Sequence, residues 1–140
     1  DDEDCPYILT VTVWPRLHSE NLRQRAKCIL DTGCLQGNII SKRLATSLGF
    51  TVTEYEQLKP REKTGGITAS GHIHHAIGAI RVSWSHGSST RMMTLMRFLV
   101  SDNEKIDLVI GARSIRKWNL ISPPNLSNVP DNIADLQDDG

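Results

Sequence analysis

The segment Tyr7 to Trp14, YILTVTVW, sets Leu9, Val11 and Val13 against Thr10 and Thr12. A period of two sends successive side chains to opposite faces of a sheet, so the run predicts a strand, and Pro15 ends it. LHSENL then reads as a turn before a second strand over Arg25 to Leu30. Asn38 to Ser41 is short and apolar. Ser41 is placed to cap a helix over KRLATSL, with Leu44 and Leu48 on one face and Gly49 as its C-terminal stop. Val52 continues extended, and Glu54 to Lys63, which contains Pro60, reads as a polar link.

From Thr64 the chain carries Gly65, Gly66 and Gly71 and then alternates, which predicts a hairpin whose return strand runs from His72 to Trp84. SHGSS turns into a further strand, MMTLMRFLV. Asp102 to Lys105 is a turn, and DLVIG is a short buried strand running into a helix, ARSIRKWN. Many short strands with one or two short helices and no internal repeat predict a mostly-β, barrel-like domain. Its bounds are residues 7–121, after an acidic N-terminal extension at 1–6. A Pro-rich, acidic tail or linker follows at 122–140, with three prolines and little to bury.

Composition changes this picture little. At 140 residues, with 39% hydrophobic and 23% charged, the chain has ordinary globular usage and suits one core. No apolar run approaches the roughly 20 residues of a membrane-crossing helix, and DDEDC is acidic where an export signal is basic and then apolar. Three cysteines, Cys5, Cys28 and Cys34, form no CxxC pair, which argues against a disulfide framework and a zinc knuckle. An intracellular, cytoplasmic, reducing location is the expectation. Formal charge is zero, yet eight of the 16 acids lie at the chain ends, leaving eight against 16 bases, a net +8, between Cys5 and Pro130. A basic body suits nucleic acid or an acidic partner, but no basic run with interleaved aromatics supports nucleic acid over a plain solvated surface.

Candidate chemistry sits in CILDTGCLQGNIIS, Cys28 to Ser41, where Asp31 interrupts an apolar run. Burying an ionised carboxylate costs several kcal/mol without compensation, so the acid needs a reason. One reading is a turn alone, with Asp31 accepting from the next amides and Gly33 supplying unusual backbone angles. The other is a loop that presents Asp31 to a cleft, with Thr32 tying the loop by its hydroxyl and Gly33 allowing close backbone approach. One carboxylate does not hydrolyse a peptide by acid–base chemistry. Two sharing a proton do, one activating water and one protonating the carbonyl oxygen. The sequence has a single Asp-Thr-Gly, so a second must come from a second copy across a two-fold axis.

ILDTGCLQGNIIS resembles the active-site segment of the retropepsin family, the homodimeric aspartic proteases of retroviruses and LTR retrotransposons and their cellular relatives. TGGITASGHI resembles that family's glycine-rich flap hairpin, and IDLVIGARSIRKWNL its apolar-apolar-Gly strand and following helix. The resemblance spans about Tyr7 to Leu120. It implies a closed β-barrel subunit in a two-fold homodimer, an aspartic endopeptidase that processes a polyprotein and favours mildly acidic pH. By the resemblance Asp31 is catalytic, Thr32 and Gly33 support the paired loops, Gly65, Gly66, Ile67 and Gly71 belong to the flap, and Gly111 packs behind the active loop. It also implies no cofactor and no metal, with the chain itself and an extended peptide or polyprotein as partners, and neither a membrane nor nucleic acid. Viral members often carry an acid shortly after Asp-Thr-Gly and an Arg after the late glycine. This chain has Leu35, Gln36 and Ala112-Arg113 there, so the viral ion pair between those segments is not expected. The helix after Ile-Ile-Ser looks more like retrotransposon or cellular members, and the acidic ends suggest a fragment of a longer polyprotein.

The same residues admit other readings. The same fold without the chemistry would be a dimerisation or peptide-binding module in a larger protein, which the unusual Ala112-Arg113 favours, whereas intact Asp31-Thr32-Gly33 favours the enzyme. His72 and His74 would share a strand face, yet exposed histidines are the default over a metal pair. Cys34 reads as a packed small residue before a nucleophile. Met92, Met93 and Met96 read as core filling, as do Trp14, Trp84 and Trp118. The sequon Asn125-Leu126-Ser127 is expected to be idle.

Overall fold

The computed structural model describes residues 7–16, 22–64, 73–87 and 89–121. Its strands are β1 (Tyr7–Trp14), β2 (Gln24–Leu30), β3 (Ile39–Ser41), β4 (Ala76–His86), β5 (Met92–Ser101) and β6 (Leu108–Ile110). Three short helices accompany them, α1 (Lys42–Ser47), α2 (Pro60–Thr64) and α3 (Ala112–Lys117). The strands close into a barrel in the order β1-β2-β6-β3-β5-β4. The mostly-β, closed-barrel expectation is met, with one helix more than the sequence pattern announced.

Burial explains why some strands alternate and others do not. In β1, Val11 and Val13 point into the main core while Thr10 is exposed and Thr12 half-buried, the pattern of a sheet with one wet face. In β3, β5 and β6 both faces are covered. Ile40, Val100, Leu108 and Ile110 join the main core around Trp84 and Phe98, while Ile39, Leu99 and Val109 form a second cluster with Cys34 and Ala79. Continuous apolar runs such as NII, FLV and LVI are what two-sided burial requires. The Trp84 indole N–H finds the Met96 sulfur at 3.4 Å, so this buried ring is polar-satisfied. Met93 and Met96 are core filling as expected, but Met92 is 40% exposed. Trp14 and Trp118 are only half-buried, and Arg91 and Lys117 stack on the Trp118 ring.

Chain ends of the helices follow local chemistry. Buried Ser41 caps α1, its hydroxyl accepting from Leu44 N–H at 3.0 Å. At the other end Gly49 has φ +97°, and Gly49 N–H and Phe50 N–H donate to the Thr46 and Ala45 carbonyls, a Schellman stop. Asn119, φ +52°, closes α3 the same way through Leu120 N–H to Ile115 O.

Three local expectations are corrected. Val52 begins a single 3₁₀ turn (Val52–Glu54) because the Glu54 carboxylate reaches back to Thr51 N–H at 2.8 Å. The polar link holds a helix, α2, started by Pro60 and by Glu62, whose carboxylate accepts from Lys59 N–H at 2.7 Å. Before α2 that link also touches the barrel, where Glu56 and Ala79 exchange backbone hydrogen bonds of 2.7 and 2.9 Å. The return strand begins at Ala76 rather than His72 and runs on to His86. The turn at 17–21 and the tail at 122–140 lie outside the described residues.

Replacing Ser41 with Ala strips Leu44 N–H of its acceptor inside the core. Urea unfolding is expected to show a loss of about 1–2 kcal/mol with an unchanged slope; a loss below the experimental scatter would mean that the cap is dispensable.

Candidate active site

Topology dictates where Asp31 sits. β2 runs parallel to β6 and β3 antiparallel to it on the other side, so residues 31–38 must cross the end of β6 as the chain turns into α3. The crossing is stapled at several points. Asp31 N–H donates to Ile110 O at 2.9 Å, extending the β2–β6 ladder, and Ala112 N–H donates to Cys34 O at 2.9 Å. Gly111 N–H donates to the Asn38 side-chain oxygen at 2.9 Å. A Cβ on Gly111 would lie 2.7 Å from both the Cys34 and Gly37 carbonyl oxygens, so only glycine lets the loop lie this close. The buried Asn38 amide also donates to Arg97 O at 3.2 Å and Ser114 Oγ at 2.9 Å. One neutral side chain thus links the loop to β5 and to both Gly111 and Ser114 at the start of α3.

The tip of the loop is a tight Asx-type turn. Asp31 Oδ1 accepts from Gly33 N–H at 2.8 Å, and Asp31 O accepts from Cys34 N–H at 3.1 Å. The turn of the first reading is present, and it fixes the carboxylate. Left-handed backbone falls on Gly37, φ +149°, rather than on Gly33. Asp31 is half-buried; Thr32 and Gly33 are exposed, and the Thr32 hydroxyl makes no hydrogen bond among the described residues.

Cys34 is not poised as a nucleophile. Burial pushes its thiol up and the adjacent Asp31 charge pushes in the same direction, outweighing the backbone hydrogen bonding of Gly37 and Gln36 that favours the thiolate; the thiol itself donates to Gly37 O at 3.2 Å. Cys28 is more extreme, raised by burial to about 12. Both are buried free thiols.

Sequence reasoning missed a polar network beside the loop. Gln36 is 2% exposed; its amide nitrogen donates to Glu62 O and His74 O, both at 2.7 Å, and its oxygen accepts from His74 N–H at 2.9 Å. One side chain on the Asp31 loop therefore holds α2 and the entry to β4, the two ends between which residues 65–72 run. Glu62 in turn is gripped by Arg97 of β5 through two N–H donors at 3.0 and 2.9 Å, and Arg97 reaches Glu56 at 2.8 Å and Gln57 O at 2.9 Å. Burial pushes the Glu62 carboxyl up, but the Arg97 donors, the Lys59 amide and the two cationic charges carry it below its ordinary value. The Glu62 hydrogen bond likewise raises Arg97. No local pattern marks Gln36, which sits in the short polar gap Gln36-Gly37-Asn38 between apolar neighbours.

Gly65, Gly66, Ile67 and Gly71, assigned to a flap, lie outside the described residues, as does His72. His74 and His75 precede β4, and His75 Nδ1 lies 3.8 Å from Asp102. No group of three metal-ligating side chains occurs among the described residues.

No protein-family model and no curated protein matches the chain. Among solved structures, the chain is similar to the retroviral protease-like domain of Ddi1 from Leishmania major, at 17% identity and TM-score 0.48, over 79% of this chain and 76% of that one. It is also similar to a retropepsin-like aspartic protease from Rickettsia conorii, at 16% identity and TM-score 0.48, over 80% and 78%. What the loop can do is decided by its own geometry.

Because the folded Glu62 carboxyl is depressed, its contribution to stability is present above the ordinary carboxylate range and fades as pH falls through its lowered folded value. Glu62→Gln is expected to cost about 2 kcal/mol at neutral pH, since Arg97 keeps Glu56 as a partner. Thermal melts of parent and variant should converge as the pH is lowered into the acid range. A gap that is constant across pH would show that the charge of Glu62 plays no part.

Proposed function

We propose that the chain is a retropepsin-like aspartic endopeptidase whose working form is a homodimer, with Asp31 from each copy forming the catalytic pair. One observation carries this reading. Asp31 stands at the tip of a loop stapled to the end of β6, its carboxylate fixed by Gly33 N–H, beside an exposed Thr32 hydroxyl with no hydrogen-bond partner among the described residues. A tip whose Thr32 and Gly33 are exposed is suited to meeting its own copy across a two-fold axis, which needs the same patch on both subunits.

The chemistry follows from two facing carboxylates that share one proton. The ionised carboxylate takes a proton from water as the water oxygen attacks the scissile carbonyl carbon. The protonated partner gives its proton to the carbonyl oxygen, forming a neutral gem-diol. Collapse of the diol breaks the C–N bond, and a proton passes to the departing amine, leaving an acid and an amine. Thr32 and Gly33 support the paired loops, Gly111 keeps the loop at its height, and the stretch containing Gly65, Gly66, Ile67 and Gly71 covers the substrate. The substrate is an extended peptide, and polyprotein processing is the role this chemistry suits. The folded unit is 7–121.

Asp31→Asn keeps the size and turn-forming oxygen of the side chain but removes the ionisable carboxyl. Peptide cleavage is expected to fall by about 100-fold or more with the melting temperature little changed. Cleavage at the parental rate by the purified variant would rule this chemistry out.

A further inference from the structure

A cleft of about 600 Å³ opens behind the Asp31 loop, bounded by residues 34–38, by α2 with Lys59 before it, and by α3. Its charge is one-sided. Lys59, Arg61, Arg97, Arg113 and Lys117 line it against a single carboxylate, Glu62. Arg97 consumes that carboxylate in a paired hydrogen bond, so the one acid in the wall cannot neutralise the others. Arg61 and Arg113 are exposed and have no carboxylate partner among the described residues. Arg113 stands in the first turn of α3, which holds no acid and where a cation opposes the helix dipole, so its place is not explained by helix stability.

We propose that this cleft is an exosite that binds a carboxylate-rich, extended segment of the peptide substrate. As a substrate site it rests on the proteolytic reading above; as a binding site it does not. Volume and charge both fit. The cleft lies within the ~300–1,000 Å³ range of ligand sites, and four cations left over after the Arg97–Glu62 pair need a chain of negative charges rather than one ion. The cations come from two separate elements, Lys59 and Arg61 from the α2 side and Arg113 and Lys117 from α3, which suits an occupant laid along the cleft. Side-chain carboxylates are favoured over nucleic acid because no aromatic residue lines the cleft, so bases would find no stacking platform. Arg forks pair with planar carboxylates in two-point contact. Leu35, 46% exposed at the rim, offers an apolar contact to the aliphatic stems of such a segment.

The test uses the full chain carrying Asp31→Asn, so that no probe is cut. Fluorescence anisotropy is read with a labelled peptide of alternating glutamate and alanine, with its glutamine counterpart, and with an oligouridylate of equal length. The glutamate peptide is expected to bind, to weaken as salt rises, and to lose about tenfold or more in affinity in Arg61→Gln/Arg113→Gln, whose circular dichroism and melting temperature match the parent. Single Arg61→Gln and Arg113→Gln variants should each fall between. Equal binding of the glutamine peptide, tighter binding of the oligouridylate, or an unchanged affinity in the double variant overturns the proposal. If acidic-peptide binding is absent while Asp31-dependent cleavage persists, the exosite fails and the protease stands. If binding persists while Asp31→Asn cleaves like the parent, the reverse holds.

Discussion

The approach of two backbone segments at Gly111 governs the rest of the molecule. β6 lies between β2 and β3, and the loop joining those neighbours has to pass over its end. Carbonyl oxygens of Cys34 and Gly37 come within 2.7 Å of where any Cβ on residue 111 would be. Without that approach, Ala112 N–H and Cys34 O do not meet, Asn38 loses its grip on Gly111, and Asp31 is no longer held at the end of the β2–β6 ladder. Position of the carboxylate is thus a consequence of strand order and of one absent methyl group.

Coupling spreads outward from this crossing through buried polar groups. Gln36 joins the loop to Glu62 and His74, and Arg97 holds Glu62 from the neighbouring strand. Each member is fully engaged, and the loss of one leaves buried partners unsatisfied, which costs more than the hydrogen bond itself was worth. The arrangement therefore makes the loop, α2 and the start of β4 one mechanical unit. On the far side of that unit lies the basic cleft, so the residues that position Asp31 also form its wall.

Much of the barrel was legible because its signals are local. Alternation in YILTVTVW, the Ser41 cap and the Gly49 stop each depend on a few adjacent residues, and each appears where the sequence places it. The two-sided strands were legible as unbroken apolar runs. What could not be read depended on partners far along the chain. α2 forms in a polar stretch because Glu62 caps it and Arg97, 35 residues on, buries that charge. Gln36 looks like a surface residue until His74, 38 residues away, is brought to it. At the site, Asp31 and Gly111 were visible as an acid in an apolar run and a glycine ending a buried strand. Asn38 and Gln36, which hold the loop, carried no local pattern to mark them.

The central claim is that Asp31 acts only opposite its own copy. It is tested most directly by mixing parent and Asp31→Asn chains in varied proportion at fixed total concentration, letting subunits exchange, and measuring peptide cleavage. A shared pair predicts that activity per parental chain falls in proportion to the parental fraction, so total activity follows its square. Activity that stays constant per parental chain would mean that one Asp31 suffices, and would contradict the account.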